Sequence, residues 1–288
     1  MTRRSALLIL EAVELLTSNR DLDRFRASSG DVVLIPTMGA LHAGHESLVR
    51  KGVELARGRG ICMVWVFVNP TQFNDPADYA RYPKTLQADV DLCTRAGAAA
   101  VFAPSAPDIY PPNQQIPVPS LPEQATRPGL EDAHRPGHFA GVCQVVLRFF
   151  DLIRPRCAVF GEKDWQQLQV VRAMTKRDRP EIEIVGMPTV REPDGLAMSS
   201  RNRFLAPGDR QKALAISRAL VGAGRVKTPA EAEAAMRSTL RDAGVETEYA
   251  VVRDAATLLA PATGALRALI AARLGAVRLI DNVLWPSI

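Results

Sequence analysis

Two histidines three residues apart, His42 and His45, stand in the stretch PTMGALHAGHESL at 36–48, between a continuously apolar run and an amphipathic one. Three residues is close to one helical turn, so both rings fall on the same side of a helix that starts here. Gly39 gives the preceding turn its conformational freedom, and Gly44 lets an anion approach the backbone. A helix N-terminus adds unpaired N–H groups and the positive end of a dipole, which suits the phosphates of a nucleotide. At such a site the imidazoles stay neutral near pH 7 and act as hydrogen-bond donors. For a bare His-x-x-His, the plain alternative is a solvated pair at an ordinary helix start. A zinc pair would need a third ligand, and no Glu or Cys stands nearby at a recognised metal spacing, so no metal ligand is assigned.

The flanking elements must hold this turn in place. Residues 31–35, DVVLI, read as a buried parallel strand, and 47–56 repeat apolar residues at helical spacing. Glycines at 58 and 60 close that helix and 61–68 make a second buried strand, so a βαβ unit with a parallel sheet is expected. Ligands of such sheets collect at the carboxyl ends of the strands, where 69–74 lies. A helix is expected from an N-cap at Thr85 to just before Gly97, then a strand at 99–102. From 104 to 136 the chain is rich in proline and polar residues, with only 116–118 strand-like, and it reads as a long binding loop. A helix at 139–153, a strand at 158–160, the turn Gly161, Glu162, Lys163, Asp164 and a helix at 165–175 then repeat the strand–turn–helix pattern, and 182–185 adds a strand.

Around 188–190 the pattern changes. A loop leads to helices at 209–222 and 229–242 and strands near 247–253, 267–273 and 276–281, an α+β arrangement. The fold expected is α/β, a Rossmann-like parallel-sheet domain over 1–188 followed by a smaller α+β domain over 189–288.

With 288 residues and 47% hydrophobic content the chain can bury a full core, and disordered and fibrous classes are excluded. A net charge of +5, with no long basic block, fits an anionic small molecule at least as well as nucleic acid. Cys62, Cys93, Cys143 and Cys157 lie far apart in apolar contexts and read as reduced core thiols, which implies a cytoplasmic protein. Glu11 and Glu14 interrupt the apolar run at 6–10, so neither a targeting segment nor a membrane span is expected.

All four histidines fall in two short glycine-bearing segments, the first turn and EDAHRPGHFAG at 131–141. The string His-Ala-Gly-His resembles the nucleotide-binding signature of the adenylyl-transferring Rossmann-like superfamily. With PTMGAL before it, and with VFVNPTQF (66–73), RPGHFAGV (135–142), FGEKDWQQL (160–168) and REPDGLAMSSRN (191–202) following in order, the chain resembles the pantothenate synthetase family. The motifs span about 36 to 205; beyond that the likeness is one of general pattern.

The resemblance implies an enzyme that condenses pantoate with β-alanine at the expense of ATP, through a pantoyl adenylate, with Mg2+, as a homodimer that engages neither nucleic acid nor membrane. It implies an ATP site made of Met38, Gly39, Ala40, Leu41, His42, Ala43, Gly44 and His45, of Gly161, Glu162, Lys163 and Asp164, and of Val190, Met198, Ser199, Ser200 and Arg201. His45 matches the proposed proton donor, and His42, Lys163 and Arg201 complete the catalytic set. Gln72 and Gln167 match the glutamines that hold pantoate, and Gln72 also borders the β-alanine site. Ala140, Cys143 and Gln144 depart from the family pattern on a helix that could pack near the substrate. A nucleotidylyltransferase of the same superfamily would account for the first turn and for 198–201 but not for the two glutamines. Nothing matches a Walker A loop, so attack at the α-phosphorus is favoured over γ-phosphoryl transfer.

Overall fold

A computed structural model describes residues 13–260 and 264–286, and the apolar run at 6–10 lies outside them. β1 (Glu14–Leu16) and α1 (Asn19–Ser28) lead into β2 (Asp31–Thr37), α2 (Ala43–Ala56) and β3 (Gly60–Val66). α3 (Pro76–Arg81) and α4 (Leu86–Ala96) precede β4 (Ala100–Phe102). α5 (Ala106–Ile109), α6 (Glu131–His134) and α7 (His138–Ile153) follow, then β5 (Cys157–Gly161), α8 (Trp165–Asp178) and β6 (Glu183–Met187). The remainder holds α9 (Pro207–Ala223), α10 (Pro229–Asp242), β7 (Glu246–Asp254), β8 (Leu266–Leu274) and β9 (Val277–Trp285).

The first six strands form one parallel sheet in the order β1-β4-β3-β2-β5-β6. Chain order reverses between β2 and β5, so a crevice opens at their carboxyl ends, the usual ligand position in an open α/β sheet. Val32 and Leu34 face one layer with Met63, Phe102 and Phe149, while Val33 and Ile35 face the other with Val64, Val101 and Val159. Burial on both faces is why β2 is continuously apolar in sequence. β7, β8 and β9 form a separate antiparallel sheet, and α9 and α10 cover it around Ile216, Leu220, Met236, Leu240 and Ile270.

The two halves are fastened by buried groups. Val251 and Leu269 of the second sheet join the larger core, and the Trp165 indole donates to the Ala255 carbonyl at 2.8 Å. Glu131, only 5% exposed, accepts two bonds from Arg278 at 2.7 and 2.6 Å and one from the Tyr249 hydroxyl at 2.7 Å. Burial alone would raise the Glu131 carboxyl, but the Arg278 bonds and charge, with help from Arg135 and Tyr249, hold it down at about 2.

Several expectations change. Residues 116–118 form no strand; Pro117 and Pro119 deny that stretch the N–H donors of a ladder, and Val118 is half exposed. The Thr85 hydroxyl makes no cap bond and donates instead to Asp89 Oδ1 at 3.2 Å. β3 ends at Val66, short of 68, and α8 runs on to Asp178. The four cysteines are free and buried, and burial pushes the Cys93 and Cys143 thiols up to about 12. Among the described residues no helix is long and apolar enough to cross a membrane.

Candidate active site

Because β2 and β5 are sheet neighbours, the turns that follow them lie side by side. A cleft of about 210 Å³ runs over both and is closed on the far side by the loop at 188–201. Fourteen of the sequence-predicted residues line it: Met38, His42, Gly44, His45, Gln72, Gly161, Lys163, Asp164, Gln167, Val190, Met198, Ser199, Ser200 and Arg201.

The first turn differs from an open helix N-terminus. The Gly39 N–H is spent on Thr37 Oγ1, and those of Ala40 and Leu41 on the carboxylate of Asp89. His42 is the N-cap of α2, and its Nδ1 accepts from the Gly44 N–H at 3.1 Å. His45 Nδ1 accepts from the His42 N–H at 3.3 Å, which completes a capping box built from two imidazoles. A backbone N–H can only donate, so each Nδ1 must carry a lone pair and each ring its proton on Nε2. Burial and the neighbouring Lys163 cation hold His42 down at about 4; burial, His42 and Lys163 hold His45 at about 3. Both rings are therefore neutral donors near pH 7. The imidazoles, rather than the turn's N–H groups at 39–42 and 44, are the polar groups left for a phosphate.

Gly39, Ala40, Leu41, Ala43 and Glu162 are not among the residues that line the cleft. Gly39 and Ala40 are buried in left-handed conformations with φ of 79° and 52°, Leu41 is half-buried with its N–H on Asp89, and Ala43 is exposed. Glu162 turns to the second half of the chain, where Arg267 pairs with it at 3.0 Å. Asn282 of β9 donates to the Glu162 and Lys163 carbonyls at 3.0 and 2.8 Å, so this turn is anchored by its backbone while the Lys163 ammonium, 3.7 Å from Asp164, faces the cleft.

The loop that carries Met198 to Arg201 is braced from the C-terminal side. Arg191 pairs with Asp281 through two bonds at 2.6 and 2.9 Å, and Met198 N–H donates to the Val190 carbonyl. Arg201 meets Asp78 at 3.0 Å, and its guanidinium lies 5.7 Å from the Tyr82 ring centroid.

The opposite wall is amide and apolar. Asn69 Nδ2 donates to Gln72 Oε1 at 3.1 Å and to the Gly141 carbonyl, while Tyr110 donates to Asn69 Oδ1. Among the described residues the Gln72 NH2 finds only the Met38 sulfur as a partner. Gly141 permits the close approach, since a Cβ there would collide with the Thr71 carbonyl oxygen. Val142, Val145 and Val146 present an apolar stripe to the cleft. Of the departures on this helix, Cys143 points into the core and Gln144 reaches the Ile116 carbonyl at 2.6 Å, so neither lines the cleft. Sequence reasoning put 69–74 at the ligand end of a strand but assigned Asn69 no role, and it missed Tyr82 and the valines as lining residues. Asn69 had one local signal, an N-cap residue before proline at a strand end.

The chain matches the family described as Pantoate-beta-alanine ligase over residues 9–284. It is similar to the pantothenate synthetase of Myxococcus xanthus (strain DK1622), 47% identical over 263 residues that cover 88% of each chain. Its fold is similar to the pantothenate synthetase of Thermus thermophilus, with a TM-score of 0.87, 39% identity, and coverage of 94% of this chain and 99% of that one. The pantoate-beta-alanine ligase of Francisella tularensis, solved in complex with beta-gamma ATP and beta-alanine, is 33% identical at a TM-score of 0.77, covering 96% and 100%. With a family match along nearly its whole length and relatives of the same name at up to 47% identity, the chain belongs to the pantoate–β-alanine ligase family.

Proposed function

We propose that the chain joins pantoate to β-alanine through an enzyme-bound pantoyl adenylate, cleaving ATP to AMP and pyrophosphate. The observation that carries this reading is that Gln72 and Gln167 line the same cleft as His42, His45 and Lys163. A carboxylate held by the amides then lies beside groups able to stabilise a phosphate. The Gln72 NH2 and Gln167 bind the polar end of pantoate, and the valine stripe takes its methyl groups. A pantoate carboxylate oxygen attacks the α-phosphorus and the bond to the β-phosphate oxygen breaks. The Nε2–H groups of His42 and His45, with the Lys163 ammonium, stabilise the charge that develops as pyrophosphate leaves. The β-alanine amine next attacks the acyl carbon beside Gln72, loses a proton, and releases AMP. β-Alanine and ATP are also the compounds bound in the Francisella ligase.

The donor set fits a Mg2+ ion that arrives on ATP. Asp164 is the one carboxylate among the lining residues, and among the described residues no three metal-ligating side chains converge, so phosphate oxygens would supply most of the ligands. When bound, the ion neutralises phosphate charge. The reading includes a division near 188–190, supported by the separate core of 196–285, with Ser199, Ser200 and Arg201 moving onto the triphosphate as the second lobe closes. Incubation with pantoate, β-alanine and Mg-ATP should yield pantothenate and AMP in equal amounts by mass spectrometry. Formation of ADP would overturn the adenylate route.

A further inference from the structure

Asp89 stands on α4, outside every motif that marks the cleft, and is 1% exposed. Its Oδ1 accepts from the Leu41 N–H at 2.8 Å and from Thr85 Oγ1 at 3.2 Å, and its Oδ2 accepts from the Ala40 N–H at 3.1 Å. Among the described residues no cation pairs with it. A carboxylate placed behind an anion-binding turn opposes the anion electrostatically, so its presence calls for a compensating role. The backbone supplies one. Gly39 and Ala40 are successive left-handed residues, and alanine adopts φ 52° only when its surroundings impose it. The two bonds to Asp89 impose it, and they fix the direction in which the chain enters His42, the cap residue whose Nε2–H serves the cleft.

We infer that Asp89 is a positioning residue for the nucleotide turn: its two oxygens hold residues 39–41 in the conformation that aims His42 and His45 at the phosphates. This rests on the reading of 38–45 as the ATP turn. Asn has nearly the same shape but only one acceptor oxygen, so in Asp89→Asn one of the two N–H groups faces an NH2 and the turn loses one of its pins.

The test measures ATP and pantoate affinities separately by calorimetry on the same folded preparation of Asp89→Asn. ATP should bind at least about 10-fold more weakly, the cost of a lost bond to a charged acceptor, with pantoate affinity within about 2-fold of the parent. Parental affinity for both, or parallel loss of both, would overturn the inference, the latter marking general loosening. Thr85→Val, which removes one bond to Asp89 without touching the turn, should weaken ATP alone by about 2- to 3-fold. If Asp89→Asn does not fold, unchanged ATP affinity in Thr85→Val overturns the inference instead. Absence of ATP binding in the parent would sink the reading of the turn itself, an outcome distinct from a parent that binds ATP and a variant that binds it equally well.

Discussion

His45 and Lys163 converge on one cleft from different strands, and they differ in what else they do. His45 Nδ1 serves the backbone of His42 while Nε2–H is left to the cleft. Among the described residues Lys163 has no side-chain partner closer than Asp164 at 3.7 Å, so its charge is available to a ligand. If each stabilises charge that appears only as pyrophosphate leaves, His45→Ala and Lys163→Ala should each slow adenylate formation at least about 100-fold, about 2.7 kcal/mol. Loss of folding stability should be confined to the histidine variant, at about 1 kcal/mol for the broken cap. Single-turnover measurement of pantoyl adenylate, paired with melting curves, checks both. A variant that forms adenylate at the parental rate removes that residue from the chemistry.

At the scale of elements, the start of α2 is held by neutral imidazoles, and this makes it sensitive to acid. His42 at about 4 and His45 at about 3 both lie below their ordinary value of 6.5, so the unfolded chain takes up protons first as pH falls. Stability contributed by these rings is therefore complete above about 6.5 and declines as pH drops through the window towards 4 and then 3. His42→Asn keeps a good N-cap and removes one titrating ring. Its melting temperature should fall less steeply than the parent's between pH 6.5 and 4, and equal slopes would contradict the assignment. Much of this architecture was legible in sequence, because a strand buried on both faces must be apolar throughout and a helix packed on one face must repeat at 3.6. The turns announced themselves through glycine and histidine spacing. What was not legible depends on contacts far along the chain: Asp89 reaching back to Ala40, Asn282 gripping the Lys163 carbonyl, and Glu162 paired with Arg267. The cap bonds inside the histidine pair also escaped, since spacing alone puts both rings on one side without saying where each nitrogen points.

For the whole molecule, the α/β half supplies the turns at 38–45 and 161–164 and the glutamine wall of the cleft, and the loop from Met198 to Arg201 faces them. The buried Glu131, bonded to Arg278 and Tyr249, and the Trp165 to Ala255 bond hold the halves together. In the proposed mechanism this assembly activates pantoate as an adenylate before the amine takes part. The decisive experiment is exchange of labelled pyrophosphate into ATP, followed with Mg2+ and pantoate but without β-alanine. Exchange that depends on pantoate and needs no β-alanine is expected; exchange that appears only when β-alanine is added would contradict an adenylate formed ahead of the amine.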